Sequence, residues 1–205
     1  MGEQQITSVE ELVAVVGVPL PRVANKVRPK LHQLDREWLA ASPFCLVATA
    51  DENGACDVSP KGDPPGHLAY VIDDSTIALA ERPGNRRADG YKNVLANPHV
   101  GLIFLIPGRG DTLRINGRAR LVCDAPFFDD MIVKGRRPIL ALVVEIEEIF
   151  HHCAKAFLRS QLWRPETWLD PVPSRPVIVK TLERPDEPLE ELSTYYGDQY
   201  AKHLY

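Results

Sequence analysis

The sequence predicts a mainly β, α+β fold: a closed antiparallel barrel with peripheral helices. About seven short apolar segments are joined by hairpin-length turn signals, and few long helical periodicities lie between them. The clearest single signal is TLRINGRARLV. There Leu113, Ile115, Ala119 and Leu121 alternate with Arg114, Asn116, Arg118 and Arg120, the period of a strand with one buried face. With 205 residues, 44% of them hydrophobic, the chain can bury a substantial core. It is expected to form one domain: a helical arm over 1–43, the barrel core over 44–150, and a helical or extended C-terminal segment over 151–205.

The arm opens with Ser8-Val9-Glu10-Glu11, which has capping-box spacing, and Gly17 stops a helix over Val9 to Val16. Leu31, Leu34 and Trp38 recur at helical spacing, and Ser42-Pro43 ends that second helix because a pre-proline residue avoids the helical region. From Phe44 the period becomes strand-like. FCLVATA and ACDVSPK flank DENG as a hairpin, with Asn53-Gly54 in the turn, and LAYVI and TIALA flank Asp73-Asp74 as a second. VGLIFLI, TLRINGRARLV and ILALVVEI complete the strands, with a short helix near Phe127 to Val133 and one more in the C-terminal tail.

Net charge is −4 and the isoelectric point about 5.9, so a chain-wide basic field for nucleic acid or acidic membranes is excluded, and any anion site must be local. The apolar runs near Leu12 to Val16 and Ile139 to Ile146 fall far short of the ~20 residues that cross a bilayer. Cys45, Cys56, Cys123 and Cys153 form no CxxC pair, and the N-terminal residues lack a signal-peptide pattern. The expectation is reduced, mostly buried thiols in a cytoplasmic protein.

Common enzyme signatures are missing: there is no GxSxG elbow, Walker loop, HExxH or zinc-type cysteine spacing. PGRGDT lacks the third glycine of a dinucleotide fingerprint and reads as a hairpin loop. His151-His152-Cys153 resembles a ligand set, yet neighbours on an extended segment point to opposite faces, so no metal site is expected.

ERPGNRRADGYKN is the exception. It follows a predicted strand and precedes the helix-forming YKNVLANP, which Asp89 would cap, so it places backbone N–H groups and three guanidiniums where an anion can sit. The competing reading is a solvated loop with Arg82, Arg86 or Arg87 paired to Glu81 and Asp89, at ~0 to 1 kcal/mol per exposed pair. Two or three charge-assisted bonds to a phosphate, roughly 1.5 to 3 kcal/mol each, would supply much of the ~8 kcal/mol behind micromolar affinity. DVSPKGDPPGH, with Ser59 and Lys61 at a strand end, offers a second cluster that a barrel can bring alongside.

The combined stretches FCLVATADENGACDVSPKGDPPG and IALAERPGNRRADGYKNVLANPHVGLIFLIPGRGDTLRINGRARL resemble the pyridoxamine 5'-phosphate oxidase-like family of FMN-binding split barrels, as does CAKAFLRSQLW at Cys153 to Trp163. The resemblance implies a split barrel and a homodimer with FMN at the subunit interface. By position, Arg82, Asn85, Arg86 and Arg87 would hold the FMN phosphate, and Ser59 and Lys61 would lie along the ribityl chain or the ring. Lys155, Arg159, Ser160 and Trp163 would approach the cofactor bound mainly by the other subunit.

The implied activity is FMN-dependent oxidoreduction, with hydride transfer through flavin N5 to or from a small substrate or nicotinamide donor. No catalytic side chain is assigned. The Trp-Gln-Gly-like segment and late arginine pair of the family's true oxidases are not matched by SQLWRPETW, so pyridoxamine phosphate is not the expected substrate. The alternatives are a non-catalytic flavin-binding module, or a split barrel using deazaflavin F420 or haem.

Overall fold

The structure is a computed structural model that describes residues 2–169, 171–198 and 200–204. Its N-terminal helix, α1 (Val9–Val16), has the expected start and stop. The Ser8 hydroxyl accepts from the Glu11 N–H at 3.1 Å, the Glu11 carboxylate accepts from the Thr7 N–H at 2.8 Å, and Gly17 takes φ 83°. A one-turn helix, α2 (Pro21–Ala24), was not anticipated. In α3 (Gln33–Ala41) the buried stripe is Asp35, Trp38 and Leu39, whereas Leu34 is 62% exposed. Apolar periodicity alone placed Leu34 inward because it could not see that a carboxylate occupies the buried face.

Asp35 fastens the arm to the sheet. It accepts two bonds from Arg28, at 2.6 and 2.9 Å, and one from the His32 N–H at 2.7 Å, and His151 Nε2 lies 3.1 Å away. The His151 ring meets Trp38 edge-on at 5.1 Å.

Seven strands follow: β1 (Phe44–Ala50), β2 (Cys56–Gly62), β3 (Ala69–Val71), β4 (Thr76–Ala80), β5 (His99–Leu105), β6 (Thr112–Val122) and β7 (Ala141–His152). They form one sheet in the order β2-β1-β5-β6-β7-β4-β3, with every neighbouring pair antiparallel. β2 and β3 are its two edges, so the barrel is split rather than closed. Both DENG and PGRGDT are hairpin loops, with positive φ at Gly54 and Gly108. The main core packs Val47, Leu102, Phe104, Leu113, Ile115 and Leu142. A smaller one gathers Ala78, Phe128, Met131 and Val143 around Pro126–Met131, a 3₁₀ helix where the short helix was expected.

After β4 comes α4 (Asp89–Ala96), and beyond β7 lie α5 (Lys155–Ser160), α6 (Arg175–Leu182) and α7 (Leu189–Tyr195). Only α7 corresponds to the single tail helix expected there. The cysteines also differ from expectation: Cys45 is buried, but Cys56, Cys123 and Cys153 are exposed free thiols. The last three stand at or just past strand ends, where the core no longer covers the chain. Among the described residues no helix is long and apolar enough to cross a membrane.

Candidate active site

The edge strand β2 is patterned in reverse. Asp57, Ser59 and Lys61 are half-buried, while Cys56, Val58, Pro60 and Gly62 are exposed. Because strand side chains alternate, the register that pairs Cys45 with Lys61, Val47 with Ser59 and Thr49 with Asp57 turns the polar set inward. An interior polar face at a sheet edge needs partners, and they come from the segment between β4 and α4.

That segment closes one side of a cleft of about 540 Å³, within the usual range for small-ligand sites. Ser59, Lys61, Arg82, Asn85 and Arg87 all line it, above a floor that includes Val47, Val94 and Leu142, and Leu204 contributes from the C-terminal tail. The juxtaposition of the two sequence clusters is therefore real in the fold. Arg86 sits in the same loop, exposed and with φ 60°, and does not line the cleft.

The start of α4 packs closely on β1 and β2 at Gly90. A Cβ there would lie 3.2 Å from Asp57 Oδ2, 3.4 Å from Thr49 Oγ1 and 3.5 Å from Ser59 Oγ, so a larger residue would press on these three side chains. Asp89 is not the helix cap it was expected to be. Ala88, at φ 56°, holds the cap position without a side-chain bond, and Asp89 begins the first turn, where it pairs with Arg87. Asn85 Oδ1 accepts from the Arg87 N–H at 3.0 Å, which folds the loop into a local turn.

The charges in the cleft are largely matched internally. Lys61 Nζ donates to Glu81 at 2.6 Å and to Tyr91 Oη at 2.9 Å, and the Tyr91 hydroxyl donates to the same Glu81 oxygen. Burial drives the Tyr91 phenol far above its ordinary pKa, and the bond and charge of Glu81 add to the effect. Burial likewise pushes the neighbouring Cys45 thiol up to about 12, although the Lys61 charge pulls it the other way. Arg82, expected on an anion, instead turns to the buried Asp63 and to the Met131 carbonyl, at 2.8 and 2.9 Å. The lining holds three cations (Lys61, Arg82, Arg87) against four carboxylates (Asp57, Asp63, Glu81, Asp89).

What differs is how exchangeable each cation is. The Arg87–Asp89 pair is exposed, at 78% and 34%, so an incoming anion can replace Asp89 at little cost, whereas Arg82–Asp63, at 12% and 3%, is held. Arg86 has no ion-pair or hydrogen-bond partner among the described residues. The exchangeable cations of the loop are thus Arg86 and Arg87, beside the half-buried start of α4.

Lys155, Ser160 and Trp163 are not brought to this cleft. They belong to α5 and the turn after it, beside a second, apolar groove of about 700 Å³ lined by Phe44, Leu46, Ile103, Leu105, Phe157 and Trp163. Trp163 stacks on Phe157 with centroids 5.9 Å apart and donates to the Arg109 carbonyl at 2.6 Å. The Ser160 hydroxyl donates to the Phe157 carbonyl at 3.2 Å, and Lys155 is exposed.

Glu81, Tyr91 and Asp57 are the site residues that reading by cluster missed. The first two stand inside ERPGNRRADGYKN itself, and the third begins the i, i+2, i+4 series with Ser59 and Lys61, so the signal was the inward alternation of polar residues.

A split antiparallel barrel with an anion-capable cleft between an edge strand and a helix start defines the class. A family profile described as pyridoxamine 5'-phosphate oxidase matches residues 31–153, and the chain belongs to that family. Similar solved structures include HupZ of Group A Streptococcus (18% identity, 59% of this chain and 93% of that one, TM-score 0.47). Others are a proposed pyridoxamine 5'-phosphate oxidase from Lactobacillus delbrueckii (22%, 60% and 95%, 0.47) and General Stress Protein 26 from Bacillus anthracis (12%, 57% and 88%, 0.44). A search of curated proteins returned no match.

Proposed function

We propose that this protein is an FMN-dependent oxidoreductase of the cytoplasm that works as a homodimer. One observation carries the reading: the two sequence clusters, with Ser59 and Lys61 in one and Asn85 and Arg87 in the other, line a single cleft of ligand size. The residues fit the cofactor. Arg86, Arg87 and the backbone N–H groups at the start of α4 would take the phosphate, Asn85 would shape that loop, and Ser59 and Lys61 would bond the polar chain or ring edge. Arg82, held by Asp63, would brace the wall of the cradle.

Bound FMN would supply hydride chemistry with a small substrate or a nicotinamide donor. The chain's own residues bind, orient and tune. Val47, Val94 and Leu142 give the cleft an apolar floor, and the start of α4 packs against its wall at Gly90.

The homodimer reading rests on the outward faces of β1, β2 and β5. Phe44 is 37% and Val58 57% exposed, and Leu46, Ile103 and Leu105 join Phe44 in the apolar groove. Burying such a face against a second copy would bring α5, with Lys155, Arg159, Ser160 and Trp163, toward the partner's cleft.

The test is the colour of protein purified without added ligand and the mass of the cofactor it releases. FMN in the supernatant after denaturation is the expected result. A colourless protein that does not quench FMN fluorescence overturns the reading, and a deazaflavin or haem mass redirects it. Anaerobic mixing with NADH or NADPH then checks turnover: bleaching supports an oxidoreductase, and persistent colour with both donors supports a binding module.

A further inference from the structure

The inner and outer ends of the cleft differ in a way that the count of cations conceals. Lys61 is 20% exposed and its pair partner Glu81 is 30% exposed, whereas Arg87 at the outer end is 78% exposed. Of the three N–H bonds an ammonium can donate, Lys61 has committed two, to Glu81 and Tyr91, and its Nζ lies 4.7 Å from the Tyr91 ring centroid. The other charged pair at this end is also matched, since Arg82 is held by Asp63 at 2.8 Å, while Asp57, which accepts from Ser59 at 3.0 Å, stands farther along β2 beside Gly90 at the start of α4. An anion placed on Lys61 would meet the Glu81 carboxylate directly behind it.

We propose that Glu81 is a specificity-determining residue: paired with Lys61 and bridged by Tyr91, it keeps the inner end of the cleft electrically neutral. This end therefore takes a neutral polar part of the ligand, such as a polyol hydroxyl or a ring carbonyl, and the ligand's anionic group goes to Arg86 and Arg87. The triad offers both donors and acceptors to such a group, while repelling a second anion. Removing the Glu81 charge converts the same place into a cation site. The inference rests on the cleft being the ligand site, and on the FMN reading only for the last measurement below.

The experiment needs no flavin in its first part. Inorganic phosphate is titrated calorimetrically into the full chain as wild type, Glu81→Gln, and Glu81→Gln with Lys61→Met. Glu81→Gln keeps the shape and an acceptor, and is expected to bind phosphate about tenfold more tightly, because the Lys61 charge is unmasked. Deleting both members of the neutral pair is expected to leave affinity within about twofold of wild type. Equal affinity in Glu81→Gln would show that the Glu81 charge does not mask Lys61, and a loss of tenfold or more in the double variant would show that Lys61 itself holds the anion; either result overturns the proposal. Phosphate bound by neither wild type nor Glu81→Gln also overturns it.

In the second part the midpoint potential of bound FMN is compared. A more positive cleft favours the reduced, anionic flavin, so Glu81→Gln is expected to raise the potential by about 30 mV, a tenfold change in the ratio of reduced to oxidised affinity for a two-electron couple. An unchanged potential contradicts the proposal. Failure of the wild type to bind FMN counts against the flavin reading alone, and the phosphate titration then decides the role of Glu81.

Discussion

Arg82 donates from Nε to Asp63 Oδ2 at 2.8 Å and from Nη2 to the Met131 carbonyl at 2.9 Å, tying the end of β4 to the residue after β2 and to the 3₁₀ turn before β7. Three separate stretches of chain meet on one guanidinium. The relationship gives Arg82, which lines the cleft, a role in the scaffold that forms it.

Arg82→Ala is therefore expected to lower stability by about 3 kcal/mol, because it strips the ion-pair partner from a buried carboxylate. Urea denaturation followed by circular dichroism measures this. A change below about 1 kcal/mol would show that the pair is peripheral.

Reversing the outer arginines is expected to act on the ligand and not on the fold. Arg86 and Arg87 are exposed, and the Arg87–Asp89 pair contributes little to stability. Arg86→Glu with Arg87→Glu should lose flavin during purification while its melting temperature stays within a few degrees. Unchanged flavin occupancy in this double variant would place the phosphate elsewhere.

Asp35 gives the arm an acid limit. Burial alone would raise its carboxyl pKa, but the bonds from Arg28 and the His32 N–H, with the Arg28 charge, hold it below the ordinary carboxylate value. A depressed folded pKa means that the stabilisation is present above the unfolded value of ~4 and is lost as pH falls through the folded one. Asp35→Asn should cost about 2–4 kcal/mol at pH 7, and a smaller margin at pH 3. Thermal melts at both pH values measure the difference, and an equal loss at the two would contradict it.

Gly117 permits the β6–β7 pairing at its bulge, where Asn116 faces Glu148, Gly117 faces Ile146, and Glu147 is the extra residue. A Cβ at 117 would lie 2.0 Å from the Glu145 carbonyl oxygen, and backbone at that place cannot move without parting the strands. Gly117→Ala is expected to lower stability by about 3 kcal/mol, roughly 6–12 °C in melting temperature for a chain of this size. A melting temperature unchanged within 2 °C would mean that the sheet relaxes freely here.

Strands were legible in the sequence because their signals are local: alternation in TLRINGRARLV, Gly54 in the first hairpin loop and the capping box at Ser8 each need only a few neighbouring residues. Leu34 was misplaced because apolar spacing does not reveal a buried aspartate whose partners, Arg28 and His151, come from other elements. The cysteines were misplaced for a related reason, since Cys56, Cys123 and Cys153 have the composition of core residues but stand where strands emerge. At the site, Ser59, Lys61, Asn85 and Arg87 were found as two clusters, yet nothing local showed which charges cancel.

By itself the sequence determined the period of each strand, the hairpin turns and the concentration of phosphate-type donors in two short stretches. These follow from side-chain alternation, turn chemistry and residue type. Tertiary structure alone decided that β2 turns its polar face inward, that Arg82 belongs to Asp63 and that Lys61 belongs to Glu81 and Tyr91. The physical reason is that a charge takes its role from whatever lies within about 4 Å of it. In this fold the partner of Lys61 is 20 residues away along the chain, across two strands and a turn.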